Sequence, residues 1–274
     1  MQRDSALYIV GFSVAICLVC SVLVSSAAVG LRARQERNAL LDRQKKVLTV
    51  AGLIEEGENV GAAEVQALFD QRIRPVVVDL EAAEVVESMD PTTFDQQKAK
   101  KDPERSEPAP DNQAGIQRVP EHALVYYVSR TDMAEDGEGF ELEQYIFPVE
   151  GKGLWSTLYG YIALAPDGNE IRGLTFYQHG ETPGLGGEVD NPAWKAKWPK
   201  RLAYGPRGIA VADYEDPKIE VIKGQAGSVV KDPYRVDGLS GATITSKGVS
   251  HLIRFWLGEH GFGPFIKKVA AEAS

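Results

Sequence analysis

The pattern of hydrophobic and polar positions divides the chain into an apolar N-terminal run and a longer mixed segment. From Ser5 to Leu31 no charged residue interrupts the run, which is long enough to cross a bilayer as a helix. Its apolar core is longer than that of a usual secretory signal, so we predict a retained membrane anchor over residues 1–31. A cleavable signal that ends near residues 26–28 is the alternative.

The next segment, residues 32–87, carries helical and strand patterns close to the predicted anchor. Apolar residues recur on one helical face over 31–51, and this helix can continue the membrane helix into water. A short helix is predicted over Ala62–Asp70 and a strand over 74–80. Residues 88–115 contain four prolines, many charges and almost nothing to bury, so 88–119 is predicted to be a linker or a surface insertion.

The last segment, residues 120–274, is rich in strand patterns that come as hairpins. Because strands and helices do not alternate there, the pattern predicts the α+β class: an N-terminal transmembrane helix, then an antiparallel-sheet domain with flanking helices. The predicted strands cover 123–130, 141–150, 208–214 and 218–224, with a hairpin over 158–178 whose turn is Asp-Gly-Asn.

An amphipathic helix is predicted to begin near Thr243. The apolar residues on its inner face are Val249, Leu252, Ile253 and Trp256, and Gly258 and Gly261 follow as its end.

The composition of the chain excludes several kinds of partner and metal site. A net charge of −9 offers no basic surface for nucleic acid, so no nucleic-acid partner is predicted. Both cysteines, Cys17 and Cys20, lie in the apolar run, where we interpret them as small apolar residues. The remainder therefore has no disulfide, no thiolate zinc site and no cysteine-held iron–sulfur cluster. The acidic loop at 132–140 lacks calcium-loop spacing and is interpreted as solvated, so no metal site is predicted.

Well-known nucleotide and hydrolase motifs are missing from the sequence. No strand leads into a G-x-G-x-x-G turn at a helix, and there is no Walker A loop, H-E-x-x-H or G-x-S-x-G motif. We therefore expect that this chain itself neither binds NADH nor hydrolyses ATP.

Glycine and hydroxyl side chains are concentrated where the last predicted helix begins, in "DGLSGATITSKGV" at 237–249. A helix start carries unpaired N–H groups and a positive dipole end, which together favour an anion. Gly241 and Ala242 let a phosphate approach the backbone closely. A plain N-cap is the alternative interpretation. The hydroxyls that can donate hydrogen bonds to a phosphate are Ser240, Thr243, Thr245 and Ser246.

A second dense segment, "QHGETPGLGGE" at 178–188, follows the predicted hairpin. Its glycines cost chain entropy unless the backbone must pass close to another group, although a mobile surface loop is the alternative. His179 is a weak candidate for a base. Trp155, with Tyr159 and Tyr161 nearby, can form one wall of a pocket for a flat ring system. The other residues of interest in the segment are Glu181, Thr182, Gly184, Gly186 and Gly187.

The residues from Asp237 to Thr243 resemble the D-x-x-S/T-G-A-T/S signature of covalently flavinylated FMN-binding domains. The resemblance implies that Thr243 carries FMN through a phosphoester bond, made by a dedicated periplasmic flavin transferase that recognises a motif including Asp237. The "HGETPGLGG" stretch resembles the companion loop of that family. This implies flavin contacts from Glu181, Thr182, Gly184 and Leu185, with Trp155 near the ring.

With its single anchor and its insertion, the chain resembles the C-subunit family of sodium-translocating NADH:quinone reductases. The resemblance implies an electron relay between an iron–sulfur centre and the next covalent flavin, within a multi-subunit complex that reduces ubiquinone and moves sodium outward. The alternatives are the flavoprotein subunit of the ferredoxin:NAD reductase complex and a non-catalytic membrane-anchored FMN-binding sensor.

The orientation implied by this family conflicts with the charge pattern. Arginines and lysines between Arg32 and Lys46 favour a cytoplasmic C-terminal domain by the positive-inside rule. The resemblance implies a periplasmic domain on a single-pass protein of the bacterial inner membrane. We expect the periplasmic orientation, because long domains translocate largely regardless of nearby charge.

Overall fold

The structure, a computed structural model, describes residues 6–134, 138–214 and 216–272. The first five residues of the predicted anchor and residues 135–137 of the predicted acidic loop lie outside the described residues. The chain divides into two compact units, Met1–Arg43 and Gln44–Ser274. The finer predicted boundaries at residues 87 and 119 stay predictions.

The described residues form six α-helices and two short 3₁₀ helices, Gly186–Asp190 and Val211–Asp213. The α-helices are α1 (Ala6–Val50), α2 (Ala62–Arg72), α3 (Gln96–Lys101), α4 (Pro192–Lys195), α5 (Thr243–Leu257) and α6 (Gly263–Glu272).

The central sheet has six strands in the order β2-β1-β5-β6-β7-β8, and every neighbouring pair is antiparallel. This topology confirms the predicted α+β class. Two small ladders, β3 with β4 and β9 with β10, lie outside the sheet. The strands are β1 (Ile73–Asp79), β2 (Glu84–Val85), β3 (Ser106–Pro108), β4 (Arg118–Pro120), β5 (His122–Ser129), β6 (Leu142–Lys152), β7 (Thr157–Leu164), β8 (Ile171–Gln178), β9 (Glu220–Val221) and β10 (Arg235–Val236).

Helix α1 runs without a break from the apolar run into the charged segment, as the helical pattern over 31–51 predicts. Over Tyr8–Val50 it is long and apolar enough to cross a membrane. The apolar side chains of its first part are exposed, as lipid contact requires. This supports one membrane span.

The last turns of α1, from Gln44 onward, belong to the second unit and pack on its sheet. Val47 and Leu48 are buried there. The Gln144 side-chain amide donates to the Ala51 carbonyl just after the helix, at 2.8 Å. A Cβ on Gly173 of β8 would lie 2.9 Å from the Val50 carbonyl oxygen, so only glycine lets the helix end this close to the sheet.

Helix α5 crosses the opposite face of the sheet against β6. A Cβ on Gly151 would lie 2.5 Å from Leu252 Cβ, and one on Gly248 would lie 2.4 Å from the Lys152 carbonyl oxygen. The helix and the strand therefore touch through glycines. This contact brings the first turns of α5 to the β6–β7 turn at 153–156. The predicted inner face is confirmed, since Val249, Leu252, Ile253 and Trp256 are all buried.

Two details of the sequence prediction are wrong. Residues 208–214 form no strand but contain a 3₁₀ helix, because no neighbouring strand pairs with the segment and only Val211 and the partly buried Tyr214 pack against the core. In 218–224 only β9 is a strand, and it pairs in parallel with β10. Helix α6, which begins two residues after Gly261, was not predicted.

The predicted linker or insertion is part of the second unit, and some of its side chains are buried there. It contains α3, β3 and part of β4, and its buried side chains include Ala99, Ala114 and Ile116. The Lys152 N–H donates to the Ala114 carbonyl at 2.7 Å.

Candidate functional site

The start of α5 presents an uncapped helix end to solvent. Its N-cap residue, Ala242, has no side-chain hydrogen bond to the first turn within the described chain. Thr243 is the first helical residue and its side chain is exposed. Gly241, directly before the N-cap residue, has φ +71°, a left-handed conformation that favours glycine. The plain N-cap interpretation is therefore wrong, and the helix N–H groups stay available to an anion.

The hydroxyls of this segment separate into two classes. Ser240 and Thr243 are exposed. Ser246 is buried and accepts a hydrogen bond from the Leu239 N–H at 3.0 Å. Thr245, with 0% exposure, donates to Glu181 Oε2 at 2.6 Å. The exposed hydroxyls are thus Ser240 and Thr243, and a contact of Thr245 with flavin stays a prediction.

Glu181 joins three segments that are far apart in the sequence. Its carboxylate accepts the N–H groups of Trp155 at 2.9 Å and of Leu154 and Ser156 at 3.2 Å, besides the Thr245 hydroxyl. Burial opposes ionisation, but these four donors outweigh it and lower the pKa of Glu181 below its ordinary value. The carboxylate therefore fastens the β6–β7 turn, the Gly-rich loop (residues 179–187) and α5 together.

The glycines of the Gly-rich loop have separate structural reasons. Gly184 has φ +75°, which forms the turn. A Cβ on Gly186 would lie 2.6 Å from both Glu181 Oε2 and Thr245 Oγ1. Leu185 reaches the other motif, because a Cβ on Gly241 would lie 2.9 Å from Leu185 Cδ2. The two motifs singled out in the sequence therefore touch each other.

Exposed apolar side chains surround this junction. Trp155 is 71% exposed and Ile244, next to Thr243, is 58% exposed; Leu154 and Leu185 are exposed as well. Large exposed apolar groups in one place mark a binding surface. Sequence reasoning identified Trp155 and Leu185 but missed Leu154 and Ile244, although each directly follows or precedes a residue already singled out.

The three side chains of the predicted aromatic wall do not lie together, and a contact of Trp155 with a flat ring stays a prediction. Leu158 and Ile162 of β7 belong to the core beneath α5. Because side chains alternate along a strand, Tyr159 and Tyr161 lie on the opposite face, where both rings contact Tyr177 with centroids at 6.1 and 5.0 Å. The tyrosines therefore cannot share a pocket wall with Trp155.

A pocket of about 630 Å³ opens beside Thr243. Lysines from three segments line it, and sequence reasoning missed them because nothing in their local patterns brings them together. Glu188 and Asp237 line the pocket as well, and Lys197 pairs with Asp237, so the net positive charge that suits an anionic group at this end of α5 comes from Lys223 and Lys247. Among the lining residues are Ser240, Gly241, Thr243, Trp194, Lys197, Lys223 and Lys247.

Asp237 holds the turn before α5 in place. Its carboxylate pairs with Lys197 and accepts the Ala226 N–H at 2.9 Å, while its carbonyl accepts from Trp194 Nε1 at 2.8 Å. Burial opposes ionisation, but the contacts with Lys197 and Ala226 lower the pKa of Asp237. Recognition of this residue by a transferase stays a prediction.

His179 is engaged through both ring nitrogens. Nε2 lies 2.7 Å from Asp190 Oδ2, and Nδ1 accepts the Glu181 N–H at 3.2 Å. This arrangement suits a structural role in the loop better than that of a free base.

Comparisons with known proteins agree with this geometry. The FMN-binding domain family matches residues 153–258, the range that holds both motifs and the Trp155 turn. The chain is 45% identical to the C subunit of the Na(+)-translocating NADH-quinone reductase of Yersinia pestis, over 93% of this chain and 90% of that protein. It is 47% identical to the protein of the same name from Pseudomonas aeruginosa, over 92% and 91%.

Solved structures of C subunits of this reductase are similar to the chain as well. The crystal structure of Shewanella oneidensis NqrC matches with a TM-score of 0.72 and 31% identity, over 88% of this chain and 100% of that chain. The C subunit of the same reductase from Parabacteroides distasonis matches with a TM-score of 0.62 and 27% identity, over 86% of this chain and 96% of that chain. At these identities and coverages, the chain belongs to the family of C subunits of the Na(+)-translocating NADH-quinone reductase, an oxidoreductase complex, and carries its FMN-binding domain.

Proposed function

We propose that this chain carries FMN as a phosphoester on Thr243 and relays electrons toward quinone within a sodium-translocating reductase complex. The observation that carries the proposal is the exposed Thr243 hydroxyl at the uncapped start of α5, beside the lysine-lined pocket. The residues present fit the group: N–H groups and lysines suit its phosphate, and the exposed apolar side chains suit a flat ring.

Attachment requires help from outside the chain. Within the described residues, no carboxylate or imidazole hydrogen-bonds the Thr243 hydroxyl, and a threonine hydroxyl is a poor nucleophile without a base. We propose that a periplasmic flavin transferase supplies the base. The transferase would take the hydroxyl proton of Thr243 and supply the flavin as a phosphoanhydride, whose P–O–P bond would break so that the second phosphate-bearing group leaves as its anion.

The protein's part in the relay is positioning. Bound FMN supplies the redox chemistry, and the chain fixes its place and surroundings. We propose that Leu154, Trp155, Leu185 and Ile244 contact the ring, with Thr182 and Gly184 shaping the loop beside it. Glu181 acts behind them by holding the turn, the loop and α5 together. Electron donors and acceptors are the other subunits of the complex.

The proposed attachment has a direct test in intact mass. Full-length protein from membranes that contain the transferase is expected to exceed the mass of the sequence by one FMN less one water. Tandem mass spectrometry should place the addition on Thr243. An unmodified mass, for a protein that is yellow before denaturation, would show non-covalent binding instead.

The relay itself is tested by rapid kinetics on the whole complex. We expect the flavin of this subunit to be reduced by NADH and reoxidised by quinone within one turnover time. A flavin that stays oxidised throughout turnover would identify a sensor rather than a relay.

We also propose that the domain beyond α1 lies in the periplasm. The arginines and lysines that follow the apolar part of α1 favour the opposite orientation by the positive-inside rule. Protease added to intact spheroplasts is expected to digest the chain beyond Ala51, while a cytoplasmic marker protein stays whole. Complete protection of a normally flavinylated chain would contradict this orientation.

A further inference from the structure

A buried lysine that the proposed function does not use lies between three segments of the second unit. Lys195 of α4 is 8% exposed. Its Nζ lies 3.2 Å from the Thr175 hydroxyl on β8, 3.1 Å from Glu56 Oε1 and 3.6 Å from Asp190 Oδ1. A buried ammonium group is stable only where partners of this kind compensate it, so Lys195 is a fixed point for all three segments.

On one side, the contacts lead from Lys195 to the start of α5. Asp190 also accepts from His179 Nε2 at 2.7 Å, and His179 Nδ1 accepts the Glu181 N–H at 3.2 Å. Since Nδ1 is the acceptor, the ring proton of neutral His179 lies on Nε2, directed at Asp190. The Glu181 carboxylate continues the series to Thr245, two residues after the proposed attachment site.

On the other side, the contacts lead to the end of α1. Glu56 Oε1 lies 3.1 Å from Lys46 Nζ as well as from Lys195 Nζ. Burial opposes ionisation of Glu56, but the two lysines outweigh it and lower the pKa of that carboxyl. The helix end itself is held on the sheet by Gln144 through the Ala51 carbonyl.

We propose that Lys195 is a positioning residue that couples the last turns of α1, through Glu56, to the Gly-rich loop, through Asp190 and His179. Its single charge compensates two carboxylates. Its removal would leave Glu56 with Lys46 and Asp190 with His179, and the contact through which Lys195 joins the two carboxylates would be lost. The Gly-rich loop, most of whose residues are exposed, would then move more easily than the end of α1, where Val47 and Leu48 are buried. The effect on flavin rests on the proposed attachment at Thr243, whereas the coupling is a property of the chain itself.

Hydrogen exchange on the full-length chain in detergent micelles tests the coupling. We expect Lys195→Met to speed exchange of the Glu181 amide and its neighbours in the Gly-rich loop about tenfold, because local opening becomes easier. Lys195→Arg keeps the charge and should retain most of the protection. Glu56→Gln should act in the same direction, and the double variant should add little to either single change.

Flavin anisotropy on the same samples gives a second measurement. Covalent FMN should remain on Lys195→Met, as gel fluorescence reports, but its fluorescence anisotropy should fall. The matched control is Lys268→Met, which removes an exposed ion pair with Glu84 (2.7 Å) and should change neither measurement.

Wild-type exchange in the Gly-rich loop of folded Lys195→Met overturns the proposal. If that variant does not fold, wild-type exchange in Glu56→Gln overturns it equally. A wild-type chain without gel fluorescence would contradict the proposed attachment instead, and the exchange result would still decide the coupling.

Discussion

Replacing Thr243 with alanine is expected to remove covalent FMN and to lower NADH-driven quinone reduction by the whole complex at least about 100-fold. Thr243 combines exposure, the first position of an uncapped helix and a place on the lysine-lined pocket. Its alanine variant should fold normally, because the side chain makes no buried contact. Fluorescence of the denatured band and quinone-reductase turnover are the measurements.

Two control variants make this experiment specific. Thr243→Ser keeps a hydroxyl in the same place and should retain the fluorescent band. Ser240→Ala removes the other exposed hydroxyl of the segment and should retain it too. A band that survives Thr243→Ala but disappears in Ser240→Ala would move the attachment site to Ser240. Thr245 is a poor substitute, because its hydroxyl is buried against Glu181.

Replacing Gly186 with valine should have the second largest effect. Even the Cβ of alanine would lie 2.6 Å from Glu181 Oε2 and from Thr245 Oγ1, so any side chain separates the two groups. We expect a stability loss of about 1–3 kcal/mol from overpacking. The ester on Thr243 should persist, since attachment depends on the 237–243 turn. The flavin spectrum should shift and electron transfer should slow, because the ring loses its defined surroundings.

The matched control for Gly186→Val is the same substitution at a glycine where an added side chain meets no other atom. Gly61 has no atom within 4 Å of an added Cβ and no positive φ, so Gly61→Val should leave the spectrum unchanged. Wild-type spectrum and turnover in Gly186→Val would mean that the Gly-rich loop is only a surface connection. The ring would then have to contact Trp155 and Ile244 without it.

Local patterns of apolar and polar residues were sufficient to predict the main strands and helices of this fold. The alternation over 158–178 and the apolar spacing from Val249 to Trp256 describe β7, β8 and α5 correctly, since each has one buried face. The segment 208–214 has similar alternation but no partner strand. Pairing depends on distant residues, so its pattern could not reveal that it forms a 3₁₀ helix.

In the candidate site, too, local features could be predicted from the sequence, whereas contacts between distant residues could not. Thr243 was singled out by the resemblance to flavinylated domains, and the anion site around it was predicted because such a site depends on consecutive residues. The role of Glu181 was not, because its partners are 25 to 64 residues away along the chain. Tyr159 and Tyr161 show an avoidable error: they alternate with core residues of β7, and alternation alone places them opposite α5.

The carboxylate of Glu181 also bears on the order of events during biogenesis. Within the described chain, its hydrogen bonds come from three backbone N–H groups and one hydroxyl of the protein itself. The carboxylate therefore holds the surroundings of Thr243 through groups of the protein itself, and under the proposed function a transferase would act on a folded surface rather than on a nascent chain. Flavinylation would then be a late step, and cells short of the transferase should accumulate a folded, colourless subunit instead of degrading it.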